Sequence, residues 1–317
     1  MHSYLPKILV PILVAVGCSL SASAQTAAKH SVENASQNAL HLAKAGHCKE
    51  ALPLLKMSLA PGSPKDQHRE IGMAGVRCAM FADQPDAALD FLRMLNREFP
   101  TDPDVLYLAV HTYSDLSTRA SADLATKAGS SYQAHELNAE ALEVQGKWQD
   151  AEKEYRSVLE KNPKLAGIHF RLGRLLLSVP NPSADVADKA KKEFEEELAI
   201  DPTNAGAEYV LGELARQANA FDDAAEHFTK ATKLDSSFAA AYLGLGMCYL
   251  SMKDYSDAIA PLETAVKLQP ANPAGHYSLA TAYSRAGRKP DADREFAIHS
   301  QMMQRSGGQA APVNQQP

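Results

Sequence analysis

The chain has 317 residues, 45% of them hydrophobic, 22% charged and 7% aromatic, with four cysteines and a single tryptophan. Such a composition excludes a disordered chain and a small scaffold held by a disulfide framework, and it leaves room for one large or two ordinary domains. With 32 basic and 38 acidic residues the formal net charge is −6 and no basic block stands out, so the electrostatic footprint of a nucleic-acid or anionic-lipid binder is absent.

The first element is an address rather than a structure. Residues 1–7 end in Lys7, Ile8 to Leu20 carries no charge, and Ala22-Ser23-Ala24 sets small residues before Gln25. This is the pattern of a cleavable secretory signal peptide over 1–24. Its apolar run is short for a membrane span, and no later segment approaches ~18 continuous apolar residues, so no span is expected. Inside it, Ala15-Val16-Gly17-Cys18 resembles a bacterial lipoprotein box, with Ala15 where Leu is usual; on that reading Cys18 becomes the lipidated first residue. Both routes stay open, with an uncleaved anchor as a third, and each places the mature chain outside the cytoplasm, in the periplasm or associated with the cell envelope.

From 25 to 130 the pattern is irregular but reads as helix pairs. Gly46, Ala51 and Leu55 keep one spacing, Ala88, Leu92 and Pro100 another, and 104–130 reads as a shortened pair. Cys48 and Cys78 belong to neighbouring units of an exported chain. A disulfide would close a ~30-residue loop and contribute about 3 kcal/mol, and two separately buried thiols are the alternative.

From 131 to 304 the chain repeats itself. Ala190, Ala224, Ala258 and Ala292 lie 34 residues apart, each followed four residues later by a large apolar side chain, Phe194, Phe228, Leu262 and Phe296. Gly212, Gly246 and Ala280 open a second register at the same period, with Tyr249 and Tyr283 three residues further on. Pro163, Pro202 and Pro270 end helices, with Ser236 filling the gap. The units run at about 131–165, 166–204, 205–238, 239–272 and 273–304. The second is longer, the step from Ala151 to Ala190 being 39, and its five extra residues lie in the Pro- and Ser-bearing stretch 178–188. Asp102-Pro103, Asp201-Pro202 and Asn272-Pro273 suit helix starts, with a capping side chain before Pro. The Gly- and Gln-rich segment 305–317 reads as a disordered tail.

At this period the chain resembles the tetratricopeptide repeat family, and the unit 239–272 carries its pattern in Tyr242, Leu245-Gly246, Tyr249, Tyr255, Ala258, Leu262, Ala265 and Pro270. The resemblance implies an all-α fold, a right-handed solenoid of about seven to eight stacked antiparallel helix pairs. Small residues sit where two helices touch, and large side chains fill the holes beside them. It also implies that first helices line a concave groove for a peptide or protein. In the family's geometry the groove positions here are Glu136, Glu140, Phe170, Arg174, Tyr209, Glu213, Arg216, Leu243, Met247, Tyr277 and Arg285. The paired positions lack the Lys-Asn combination with which chaperone-binding members hold a terminal carboxylate.

Other chemistry finds little support in the residues. His135, His169 and His276 occupy the aromatic slot four residues before Ala139, Gly173 and Ala280, a packing role. His41 and His47 are six residues apart and do not share a helix face, so no metal site is expected. Neither a nucleophile elbow nor a phosphate loop occurs, and no cofactor is expected. The run Lys189 to Glu197 reads as a solvated face with Lys–Glu pairs four residues apart, and nothing in it reads as a buried carboxylate. The expectation is a non-catalytic interaction scaffold of the cell envelope. The alternatives are an accessory subunit of an envelope enzyme complex and a lipid-anchored assembly lipoprotein.

Overall fold

The computed structural model describes residues 34–59 and 65–307. The signal segment, Cys18 and the chain beyond 307 lie outside them. Among the described residues all regular structure is helical, in fifteen helices. The chain divides into two compact units between Thr126 and Lys127.

The first unit holds α1 (34–44), α2 (Cys48–Ser58), α3 (Lys65–Phe81), α4 (Pro85–Glu98) and most of α5 (Pro103–Ala128). Its core joins Ala39, Ala51, Leu55, Ile71, Val76, Ala88, Leu92 and Leu95, all with no exposed surface. Two pairs are present, α1 with α2 and α3 with α4. The expected shortened pair at 104–130 is instead one continuous helix of 26 residues. No glycine or proline falls between Asp104 and Ala128 to break it, and Asp102 caps its start by accepting from the Asp104 and Val105 amides at 2.9 and 3.1 Å. Cys48 and Cys78 are joined by a disulfide with Cα atoms 4.8 Å apart, which ties the start of α2 to the far end of α3.

The second unit stacks five pairs: α6 (Tyr132–Val144) with α7 (Trp148–Lys161), α8 (Ile168–Ser178) with α9 (Val186–Ile200), α10 (Ala205–Gln217) with α11 (Phe221–Leu234), α12 (Ala239–Met252) with α13 (Tyr255–Leu268), and α14 (Pro273–Arg285) with α15 (Lys289–Gly307). Each helix packs on its neighbours in sequence, and the first helices of successive pairs meet as α10 on α12 and α12 on α14. The two registers meet inside each pair. A Cβ on Gly212 would stand 2.8 Å from Phe228 Cε1, on Gly173 2.8 Å from Phe194 Cζ, and on Gly246 2.6 Å from Leu262 Cδ2. Only a residue without a side chain lets the helices approach while the large group stays fully buried. Phe296, at the same register in the last pair, is 37% exposed because no described helix follows to cover it.

The connection inside each pair uses a left-handed residue, Gly146, Asn181, Asn219, Lys253 or Gly287, the last three 34 residues apart. Asn272 caps α14 with Pro273 at its first position, whereas Asp201-Pro202 does not start a helix. Asp201 instead closes a turn on Thr203, and Asn204 caps α10 through the Ala207 amide at 3.0 Å. Helix α15 reaches Gly307, three residues into the stretch expected as tail.

The run Lys189 to Glu197 departs furthest from expectation. Lys191 does face Glu195 at 3.8 Å, but Lys189 pairs with Asp185, and Glu193 and Glu197 are buried. This side of α9 faces α8 and the turn before it. There Glu193 meets His169 at 2.7 Å, and Glu197 accepts from the Gly167 amide at 2.7 Å.

Candidate functional site

All eleven expected groove residues lie on first helices of the second unit, α6, α8, α10, α12 and α14. They differ in how far they are engaged. Glu136 and Glu140 both hold Arg171 of the next first helix, the former at 3.8 Å, so the acidic end of the face is bridged by a cation that the register did not single out. Glu213 and Arg216 pair with each other at 2.7 Å. Phe170 packs edge-on against Phe194, with the Arg174 guanidinium 6.0 Å from its ring centre. Tyr209 lies between Phe228 and Phe238, with ring centres 5.8 and 4.8 Å away, and burial raises its hydroxyl pKa. Leu243 is half-buried against the core of the last two pairs, and Met247 is half-buried. Tyr277 is 54% exposed and touches Phe296 and His299, and Arg285 is exposed. The freely presented apolar surface on this face is therefore concentrated at Tyr277.

The first unit also has a cavity. A groove of about 980 Å³ opens between α1, α3 and α5, with the buried disulfide in its lining. Its apolar wall is Leu40, Met73, Phe81 and Tyr107, and two of these are unusually open to solvent, Phe81 at 79% and Tyr107 at 69%. The charges at the rim are mostly spent. Lys44 pairs with Glu70 at 2.9 Å, and Arg69 donates to both Asp102 and Asp104 at 2.6 Å. The Arg69 contact holds the Asp102 carboxyl down to about 2. Arg77, exposed on the groove wall, has no partner among the described residues, and so leaves one uncompensated positive charge beside two open aromatic rings.

These residues were within reach of the sequence. Twelve residues before the repeat alanines Ala51 and Ala88 stand Ala39 and Val76, just as Ala139 and Gly246 precede Ala151 and Ala258. One position further on are Leu40 and Arg77, the same rule that selects Glu140 and Met247. The irregular spacing of 25–130 hid the register.

A second set of side chains was missed. His135 shares a 2.6 Å hydrogen bond with Glu154, His169 a 2.7 Å bond with Glu193, and His276 a 2.6 Å bond with Glu295, each linking the two helices of a pair. In the α10/α11 pair the partners are exchanged, Glu208 on the first helix and His227 on the second at 2.6 Å. Three of these pairs are 19 residues apart and the fourth is 24, the difference being the five-residue insertion. In the α12/α13 pair the two slots hold Tyr242 and Pro261. The histidines do have the packing role expected of them, and the partner is a carboxylate at a fixed interval. Two tyrosines behave likewise: Tyr155 donates to Glu143 at 3.1 Å and Tyr283 to Glu263 at 2.5 Å, and burial pushes both hydroxyls up to about 12. Burial also pushes the Cys248 thiol up to about 11 in its core position.

Among the described residues no group of three or more His, Cys, Asp or Glu is placed to hold a metal ion, and no helix is long and apolar enough to cross a membrane. The family described as Tetratricopeptide repeat matches residues 136–205, 187–237, 209–273 and 249–297, together just over half of the chain. No curated protein matches it. Among solved structures, one described as MamA protein is 20% identical over 59% of this chain and 99% of its own, with a TM-score of 0.51. Another, described as MamA RS-1 ArsTM double mutant, is 16% identical over 55% of this chain and 96% of its own, at 0.50. At these identities the likeness is one of fold.

Proposed function

The chain belongs to the tetratricopeptide repeat family, and from that premise we propose that it is a non-catalytic scaffold of the cell envelope that binds a segment of a partner protein along its first helices. Stacked pairs of this kind present an extended concave surface assembled from one helix per repeat. The observation that carries the reading is the groove of the first unit. Phe81 and Tyr107 stand open to solvent beside the unpaired Arg77, an arrangement suited to an apolar anchor with a polar neighbour. The expected residues of the second unit, Tyr277 foremost, supply a further stretch of the same kind of face.

The envelope assignment is supported by the signal pattern of 1–24 and by the Cys48–Cys78 pairing, which suits an oxidising compartment. Crosslinking in the native envelope tests the binding reading. Replacing Phe81 and Tyr107 by Ala and Arg77 by Glu is expected to remove partner adducts, while Ala at Tyr209, Leu243, Met247 and Tyr277 reports on the second face. Unchanged adducts in both folded variants would overturn the groove assignment. Mass spectrometry of the mature N-terminus tests the localisation. Gln25 or a diacylated Cys18 as first residue supports export, and an intact Met1 in the soluble cell fraction overturns it.

A further inference from the structure

The five extra residues of the second repeat help to build a crevice of about 510 Å³ between α7, the end of α8, α9 and the connection 179–185, and none of the expected groove residues lines it. Its floor is apolar: Trp148, Leu175, Leu176, Val179 and Val186. The connection is held in place by its own contacts. Ser183 donates to Asp185 at 2.6 Å, Asp185 pairs with Lys189 at 2.9 Å, and Asn181 adopts a left-handed φ of 52°.

The charges around this floor are unevenly spent. Arg156 bonds Glu152 at 2.8 Å and reaches Glu193 at 3.4 Å, and Glu193 is also held by His169, so both carboxylates of the lining are occupied. Lys189 is taken by Asp185. Lys192 has no partner among the described residues, and neither do the Trp148 indole N–H or the side-chain amides of Gln149 and Asn181. One cation, one indole donor and two amides are thus left open around an apolar floor. We propose that this crevice is a second binding site, independent of the first-helix groove, for a protein segment that presents an apolar side chain followed by a carboxylate. The apolar side chain covers the Trp148 floor, the carboxylate meets Lys192, and the amides of Gln149 and Asn181 pair with the segment's backbone. The volume falls in the range of formed ligand sites, about 300–1,000 Å³.

Trp148 is the only tryptophan of the chain, so fluorescence excited at the red edge, where the tyrosines do not absorb, reports on this crevice. The probe is acetyl-Ala-Phe-Glu-Ala-amide titrated into the full mature chain. The expected result is a saturable change in Trp148 emission. It weakens about fivefold in Lys192→Glu or when the peptide's Glu is replaced by Gln, the scale of one exposed charge pair, and it is unaltered in Arg77→Glu. Lys192 is exposed, and unchanged helical circular dichroism confirms that its variant folds. Absence of a saturable change overturns the proposal, as does equal binding of the Glu and Gln peptides. Binding of free 3-phenylpropionate as tightly as the peptide would replace the protein segment by a small organic acid. A loss of response in Arg77→Glu as large as that in Lys192→Glu would overturn the independence of the crevice from the groove of the first unit.

Discussion

Glu197 of α9 sets its carboxylate 2.7 Å from the Gly167 amide and 3.2 Å from the Phe170 amide, so the N-terminus of α8 is capped by the helix that follows it. Gly167 itself is left-handed at φ 89° and offers no side-chain cap, and Glu197 has no exposed surface. The carboxylate also accepts from Asn204 at 3.3 Å, which joins this cap to the start of α10. Replacing Glu197 by Ala orphans two helix amides in a buried place and is expected to cost about 2–3 kcal/mol, against about 1 kcal/mol for Gln, which keeps one acceptor oxygen. Urea unfolding followed by helical circular dichroism measures both, and a loss for Ala no larger than that for Gln would contradict the capping role.

The exchanged pair Glu208–His227 yields a sharper test. Since the same two slots hold His on the first helix and Glu on the second in three other pairs, the interaction itself has no preferred direction. Glu208→His and His227→Glu alone should each lose about 1–2 kcal/mol, and the double variant should recover most of it. Additive losses would mean that each residue is held by its own surroundings and not by the other.

Gly246 lies at the closest approach inside the α12/α13 pair. Gly246→Leu overpacks Leu262 and is expected to cost about 1–3 kcal/mol, which the better helix propensity of Leu, under about 1 kcal/mol, does not offset. A melting curve that matches wild type would count against the register on which the whole array is aligned.

Asp102 makes the first unit sensitive to acid. Its carboxyl is held near 2 in the folded chain, first by the Arg69 hydrogen bond and then by the Val105 amide, against an ordinary 3.8. A folded value below the unfolded one means that the contribution is complete above about pH 4 and disappears as pH falls towards 2. Asp102→Asn should flatten the dependence of the unfolding midpoint across that window and leave the midpoint's slope above pH 5 unchanged. An equally steep acid dependence in the variant would place the responsible group elsewhere.

The period of thirty-four made the fold readable because each register position has one physical task. An alanine is buried, a glycine admits a neighbour, and an aromatic or leucine fills the gap beside it. Ala224, Gly212 and Phe228 carry those tasks openly. What stayed hidden depends on partners that are not adjacent in the chain. Glu193 and Glu197 sit among exposed Lys and Glu, yet they occupy the slots of Glu154 and Val158 in the preceding repeat, where the first helix of the pair and the turn before it cover them. The groove of the first unit was obscured differently, because α5 replaces a helix pair with one long helix and leaves Tyr107 uncovered where a regular repeat would continue the pattern.

The disulfide sets the path of force through the first unit. Any tension applied to the chain ahead of Cys48 passes through the sulfur atoms to Cys78, so α2 and nearly all of α3 carry none of it. Those helices can neither be peeled off turn by turn from the N-terminal side nor lengthen the chain under load. Once α1, which precedes the bond, has yielded, the next segment able to do so is the one after Cys78, where α4 packs on α3 through Phe91, Leu92 and Leu95. A chain tethered near its N-terminus would thus, beyond α1, hang from the interior of its repeat stack rather than from its second helix.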